Sequence, residues 1–226
     1  MKMKQFVLNG VALAVLAGAS SAQAGDIEAN VSLATDYVFR GFSQTNEELA
    51  IQGGFDYGFD NGFYIGTWAS NVDFGSDTST ELDLYGGYAF DLAEGVSLDL
   101  SYIYFNYAGE TDGLNYSEFV ASLGFGDASL GLVYSPDYFG SDSSAIVLNG
   151  DYSFSLAENW SLDLHVGYTK TDDEGIAVDG DDYIDYSAGV STSAGGLDLA
   201  LTFYGTDVDD VDIADNRAVF SVSKSF

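Results

Sequence analysis

Apolar and polar residues alternate along most of this chain with a period of two, and the links between alternating stretches are by turns long and short. Ile27, Ala29, Val31, Leu33, Tyr37 and Phe39 alternate with Asp26, Glu28, Asn30, Ser32, Asp36 and Arg40. Leu49, Ile51, Phe55, Tyr57 and Phe59 do so against Glu48, Gln52 and Asp56, and Trp160, Leu162, Leu164, Val166 and Tyr168 against Ser161, Asp163, His165, Gly167 and Thr169. This is the mark of strands with two different faces. Less regular stretches complete a set of 12, near 26–40, 48–59, 63–73, 80–90, 96–106, 116–125, 128–135, 144–154, 160–169, 183–193, 197–205 and 216–226. Links 41–47, 74–79, 107–115, 136–143, 170–182 and 206–215 are long; 60–62, 91–95, 126–127, 155–159 and 194–196 are short. Short turns on one side, long loops on the other and an even strand count describe a transmembrane up-and-down β-barrel. Greek-key crossings in a soluble sandwich give no reason for that alternation. The expected fold is therefore an all-β, antiparallel barrel of about 12 strands.

The start of the chain agrees. Lys2 and Lys4 precede an apolar run from Phe6 to Ala19, and Ala22-Gln23-Ala24 closes it. That order describes a secretory signal peptide cleaved after Ala24, which makes 1–24 a leader and 25–226 one barrel domain. The run is shorter than the ~20 residues of a membrane-spanning helix.

Phe59, Phe90, Phe125 and Phe154 each precede a short turn, and Phe226 ends the chain on the face that holds Phe220 and Val222. Five aromatic rings at one level form an interfacial girdle; five ordinary core phenylalanines are the other reading. Residues 90–100 and 154–164 echo each other at an offset of 64. The stretch 63–74 has apolar residues on both faces, and its lipid face stays unassigned from sequence.

Charge narrows the function. The chain has 36 acidic residues, and outside the leader only Arg40, Lys170, Arg217 and Lys224 oppose them. Such a surface repels nucleic acid, whose binding depends on cationic contacts to phosphate. With 16 Phe, 16 Tyr and 2 Trp, the chain is too aromatic for an acidic disordered segment. It has no cysteine, which removes thiolate catalysis and cysteine metal sites. The single histidine, His165, lies on a polar strand face among many serines, and G-x-S-x-G is absent, so no catalytic set is expected. Acidic runs 172–174, 179–182 and 207–215 lack the EF-hand spacing. They read as solvated loops, with loose divalent binding as the alternative; no cofactor is expected.

By phase, Arg40, Arg217, Asp36, Glu48, Asp56, Asp83, Asp99, Asp163 and His165 face inward and are the expected pore-lining or mouth residues. Arg40 and Arg217 should meet near the mouth, held by Asp36 and Glu48. Lys224 faces outward. A wet lumen with this excess of acids favours cations, whereas a dry one would strand many carboxylates.

Asp36-Tyr37-Val38-Phe39-Arg40-Gly41-Phe42-Ser43-Gln44, Gln52-Gly53-Gly54-Phe55-Asp56-Tyr57, the run 62–72, the run 81–88 and Tyr134-Ser135-Pro136-Asp137-Tyr138-Phe139 resemble the TorF family of porins. Tyr107-Ala108-Gly109 departs from that family's Tyr-Pro-Gly. The resemblance implies an outer-membrane barrel of porin type and brings no catalytic residues. The expectation is a passive, narrow, cation-preferring channel for small solutes in a Gram-negative outer membrane, not an enzyme. Its partners would be lipid, small solutes or cations, and the barrel assembly machinery, reached through the C-terminal strand. The alternative is a plugged structural or adhesive barrel.

Overall fold

The structure, a computed structural model, describes residues 27–109, 113–172 and 181–226. The leader and its cleavage site lie outside the described residues, as do 173–180 of the acidic link. The strands are β1 (Ile27–Ala34), β2 (Val38–Phe39), β3 (Phe42–Ser43), β4 (Ala50–Gly58), β5 (Phe63–Asn71), β6 (Thr80–Ala93) and β7 (Val96–Ala108). They continue as β8 (Tyr116–Phe125), β9 (Ala128–Ser135), β10 (Ala145–Ala157), β11 (Trp160–Thr171), β12 (Asp182–Ala194), β13 (Leu197–Thr206) and β14 (Arg217–Ser225). β1 and β4 to β14 form one closed antiparallel barrel of 12 strands. β1 seals it against β14, with Asn30 opposite Ser225 and Ala34 opposite Ser221. Closure leaves no strand edge, so the ladder satisfies backbone groups that lipid cannot.

The period-two pattern maps onto two surfaces. Ile27, Val31, Phe55, Leu148 and Leu201 point outward and are exposed, while Glu81, Asp83 and Glu118 point inward and are at most 2 % exposed. Apolar residues outside and carboxylates inside invert a soluble protein and suit a lipid environment. Phe59, Phe125, Phe154 and Phe226 lie on the outer face. β6 and β10 run past Phe90 and Phe154 to Ala93 and Ala157, so these two rings sit above the strand ends rather than at them. In β5, Phe63 and Ile65 face lipid and Tyr64 and Trp68 face the lumen. Val72 and Phe74 lie beyond the strand in the link, which is why the stretch reads as apolar on both faces.

The first expected strand is corrected. β1 stops at Ala34, and 36–45 leaves the wall as a small hairpin, β2 with β3, paired to itself and to no barrel strand. Tyr37 and Phe39 are buried in the lumen rather than facing lipid. The turning point is Asp36, whose carboxylate accepts hydrogen bonds from Ser43 Oγ (2.6 Å) and Thr45 Oγ1 (2.8 Å). A short polar side chain satisfied locally competes with the ladder. Tyr37 and Phe39 keep the phase of the preceding strand, but Val38 between them is apolar too and all three are buried.

Candidate functional site: the constricted mouth of the lumen

The hairpin turns at Arg40 and Gly41, both with positive φ (48° and 86°). That pair of angles makes the two-residue turn whose twist suits a hairpin. Gly41 is needed twice over, because a Cβ there would also collide with Thr206 on β13, two strands from β1. The tip lies inside the lumen, and the Arg40 side chain spans what remains of it. From it Arg40 reaches Glu118 on β8 with two parallel bonds, Nη1 to Oε1 at 2.7 Å and Nη2 to Oε2 at 2.9 Å. The guanidinium also lies over the rings of Phe39 (4.5 Å) and Tyr138 (5.6 Å). Burial works against the Arg40 cation, but the Glu118 charge outweighs it and holds the Arg40 pKa above its ordinary value.

A second loop meets the hairpin. The β9–β10 link dips inward through the short 3₁₀ turn Tyr138–Gly140, and Phe139 packs edge-on against Phe39 at 6.2 Å. Counting around the barrel, this link lies six strands from the hairpin's root in either direction. Two loops from opposite sides of one rim thus join over the lumen. Burying Val38, Phe39 and Phe42 is worth about 5–9 kcal/mol at the usual 1.5–3 kcal/mol per side chain, so the hairpin is a fixed constriction.

Three ties anchor the hairpin's base. Arg217 Nη1 donates to Asp36 Oδ2 (3.0 Å), and Tyr37 Oη donates to Glu81 Oε1 (3.0 Å). The backbone N–H of Asp73 donates to the Gln44 carbonyl at 2.8 Å. Arg217 and Asp36 therefore come together. Arg40 does not join them; it goes across to Glu118. Glu48 lies exposed in the link before β4, and its neighbour Glu47 stands 3.5 Å from Arg217 instead.

Below the constriction the inward residues become small. Asn30 and Ser32 on β1, Ser153 and Ser155 on β10, Ser221 and Ser223 on β14 are exposed or half-buried. The expected acids lie among them or just above. Asp163 accepts from Ser153 (2.6 Å) and Ser191 (2.8 Å). Tyr85 on β6 lies across Gly66 on β5 and donates to Asp56 on β4. Tyr64 on β5 lies across Gly87 on β6 and donates to Asp99 on β7 at 2.9 Å. Each ring is pressed flat along the wall where the neighbouring strand has no side chain, so it braces three strands without filling the lumen. His165 sits between two carboxylates, Nδ1 2.7 Å from Asp151 and Nε2 3.1 Å from Asp185. Asp83 has no basic partner within ion-pair distance among the described residues. No group of ligands there suits a metal ion.

Sequence reasoning missed Glu118, Asp151, Asp185 and Tyr138. The inward phase of β8, shared by Tyr116, Glu118 and Val120, was a usable signal for the first. Tyr138 stands in the run 134–139 that carries the family resemblance, but no periodicity shows that it enters the lumen from a loop.

A family model described as "Bacterial protein of unknown function (Gcw_chp)" matches residues 17–226. The chain belongs to the Gcw_chp family. Among solved structures, this member is similar to the KdgM porin, with TM-score 0.58, 10 % identity, and coverage of 88 % of this chain and 98 % of that one. It is also similar to the NanC porin, with TM-score 0.55, 9 % identity and coverage of 88 % and 98 %. An outer membrane channel from Pseudomonas putida F1 matches with TM-score 0.50, 11 % identity and coverage of 91 % and 97 %. No curated protein matches the chain. At such identities the likeness is one of fold: this family member has the barrel architecture of outer-membrane porins and channels.

Proposed function

We propose that this protein is a passive outer-membrane channel of porin type, narrow, cation-preferring and without enzymatic activity. The observation that carries the reading is the lumen wall beneath the hairpin, where small hydroxyl residues alternate with carboxylates. The inward cations Arg40 and Arg217 are each spent on a carboxylate partner, and His165 stands between two more. Among the described residues, Asp56, Asp83, Asp99 and Asp163 face the lumen with no basic side chain in ion-pair reach, and rings of acids select for cations. The resemblance of 36–44 and 134–139 to the TorF porins supports the same reading. Residues 1–24 would direct export. Lipid would contact the apolar belt, and Phe226, 70 % exposed at the chain end, would present the last strand to the assembly machinery.

A second reading has its own observation. The hairpin and Tyr138 fill the extracellular half, as a structural barrel with a closed lumen requires. Purified folded protein in a planar bilayer under a KCl gradient separates the two. The channel reading expects small conductance steps and a reversal potential of cation-selective sign. Anion-selective sign refutes the preference, and absence of steps in protein shown to be folded favours the plugged barrel.

A further inference from the structure

Arg40 and Glu118 form more than a strut. The two guanidinium nitrogens address the two carboxylate oxygens in parallel, the geometry that a planar guanidinium fits and an ammonium does not. Aromatic rings of Phe39 and Tyr138 flank the cation, a favourable setting for delocalised positive charge. Tyr116, on the same face of β8 two residues before Glu118, is 2 % exposed, and its hydroxyl has no hydrogen-bond partner. Glu81 and Asp83 are within electrostatic reach of Glu118, and among the described residues no basic side chain pairs with either.

We propose that Glu118 anchors a binding subsite for guanidinium-bearing solutes, which the Arg40 side chain occupies as a tethered stand-in. This deepens the channel reading by naming a solute chemistry, and it rests on that reading for the solute's access to the lumen. The exchange requires the Arg40 side chain, 9 % exposed at the hairpin turn, to leave Glu118 while Val38, Phe39 and Phe42 stay packed. Exchange of one guanidinium for another conserves charge. A neutral or anionic solute would leave Glu118 buried and unpaired, which is strongly unfavourable. Selectivity then comes from the cost of an empty site rather than from the width of the lumen.

The test uses full-length mature protein folded in detergent, with heat-modifiable gel migration as the check on folding. Calorimetric titration with arginine amide is run on wild type, Arg40→Ala and Glu118→Gln, and methylguanidinium is added during thermal unfolding of Arg40→Ala. Arginine amide should bind Arg40→Ala at least ten-fold more tightly than wild type, measurably to wild type, and not to Glu118→Gln. Methylguanidinium should raise the unfolding temperature of Arg40→Ala by several degrees, and urea at equal concentration should not. Equal affinity for wild type and Arg40→Ala would overturn the proposal, and so would no binding to either, or no rescue. If Glu118→Gln fails to fold, the rescue of Arg40→Ala decides alone. Failure here leaves the KCl reversal potential untouched, and loss of conductance leaves the titration untouched, so the two readings fall separately.

Discussion

At the scale of single residues, the wall is built from pairings of a large ring with an absent side chain. Tyr85 can reach Asp56 only because Gly66 gives it room, and Tyr64 can reach Asp99 only because of Gly87. Gly66→Val should push the Tyr85 ring off the wall and cost about 1–3 kcal/mol, as overpacking of a filled site does. The check is urea unfolding of the folded barrel, and a stability equal to wild type would mean that Tyr85 has another rotamer at no cost. Asp36 is the other decisive residue, because Ser43, Thr45 and Arg217 all converge on it. Asp36→Ala should destabilise by about 1.5–3 kcal/mol, the range for a charged hydrogen-bonded group. It should also expose the hairpin to protease at Arg40. Unaltered cleavage and stability would show that the apolar contacts hold the hairpin unaided.

At the scale of elements, the barrel strands were legible and the hairpin was not. Lipid outside and water or carboxylates inside impose period two on every barrel strand, and the same period is the signal that sequence reading detects. Tyr37 and Phe39 keep the outward phase of Ile27 to Leu33 and so read as lipid-facing, although they and the apolar Val38 between them are packed in the lumen. What distinguishes the hairpin at 36–45 is backbone chemistry, Arg40-Gly41 in a left-handed turn and Asp36 satisfied by its near neighbours, and periodicity carries no trace of either. The same limit misplaced Arg40, whose partner Glu118 lies 78 residues away. Arg217 with Asp36 was legible because the closure of β1 on β14 brings those two ends together. The assignment of faces has a direct consequence. Leu148 points out and Asn149 points in, so Leu148→Arg should cost about 2–4 kcal/mol toward the bilayer midplane. Asn149→Arg should cost much less. Equal losses, measured by reversible unfolding in lipid bilayers, would contradict the inside–outside assignment.

At the scale of the whole molecule, the barrel is a wall of twelve strands with one filled end. The half of the lumen at the long links is occupied by two loops that meet from opposite sides of one rim, and the half at the short turns is lined by small polar residues and acids. Width, in this arrangement, is set by the hairpin and not by strand number. Twelve strands lie between barrels that side chains fill and those that leave an aqueous channel, and here both regimes occur in one lumen. The termini of the hairpin are close, since Gln44 N donates to the Tyr37 carbonyl at 2.6 Å, so Tyr37–Gln44 can be replaced by a short Gly-Ser link without pulling the wall apart. Single-channel conductance of that variant against wild type, in KCl and with folding confirmed, tests the account most directly. A conductance several-fold above wild type, still cation-selective, is the expected result; equal conductance in the two proteins would contradict it.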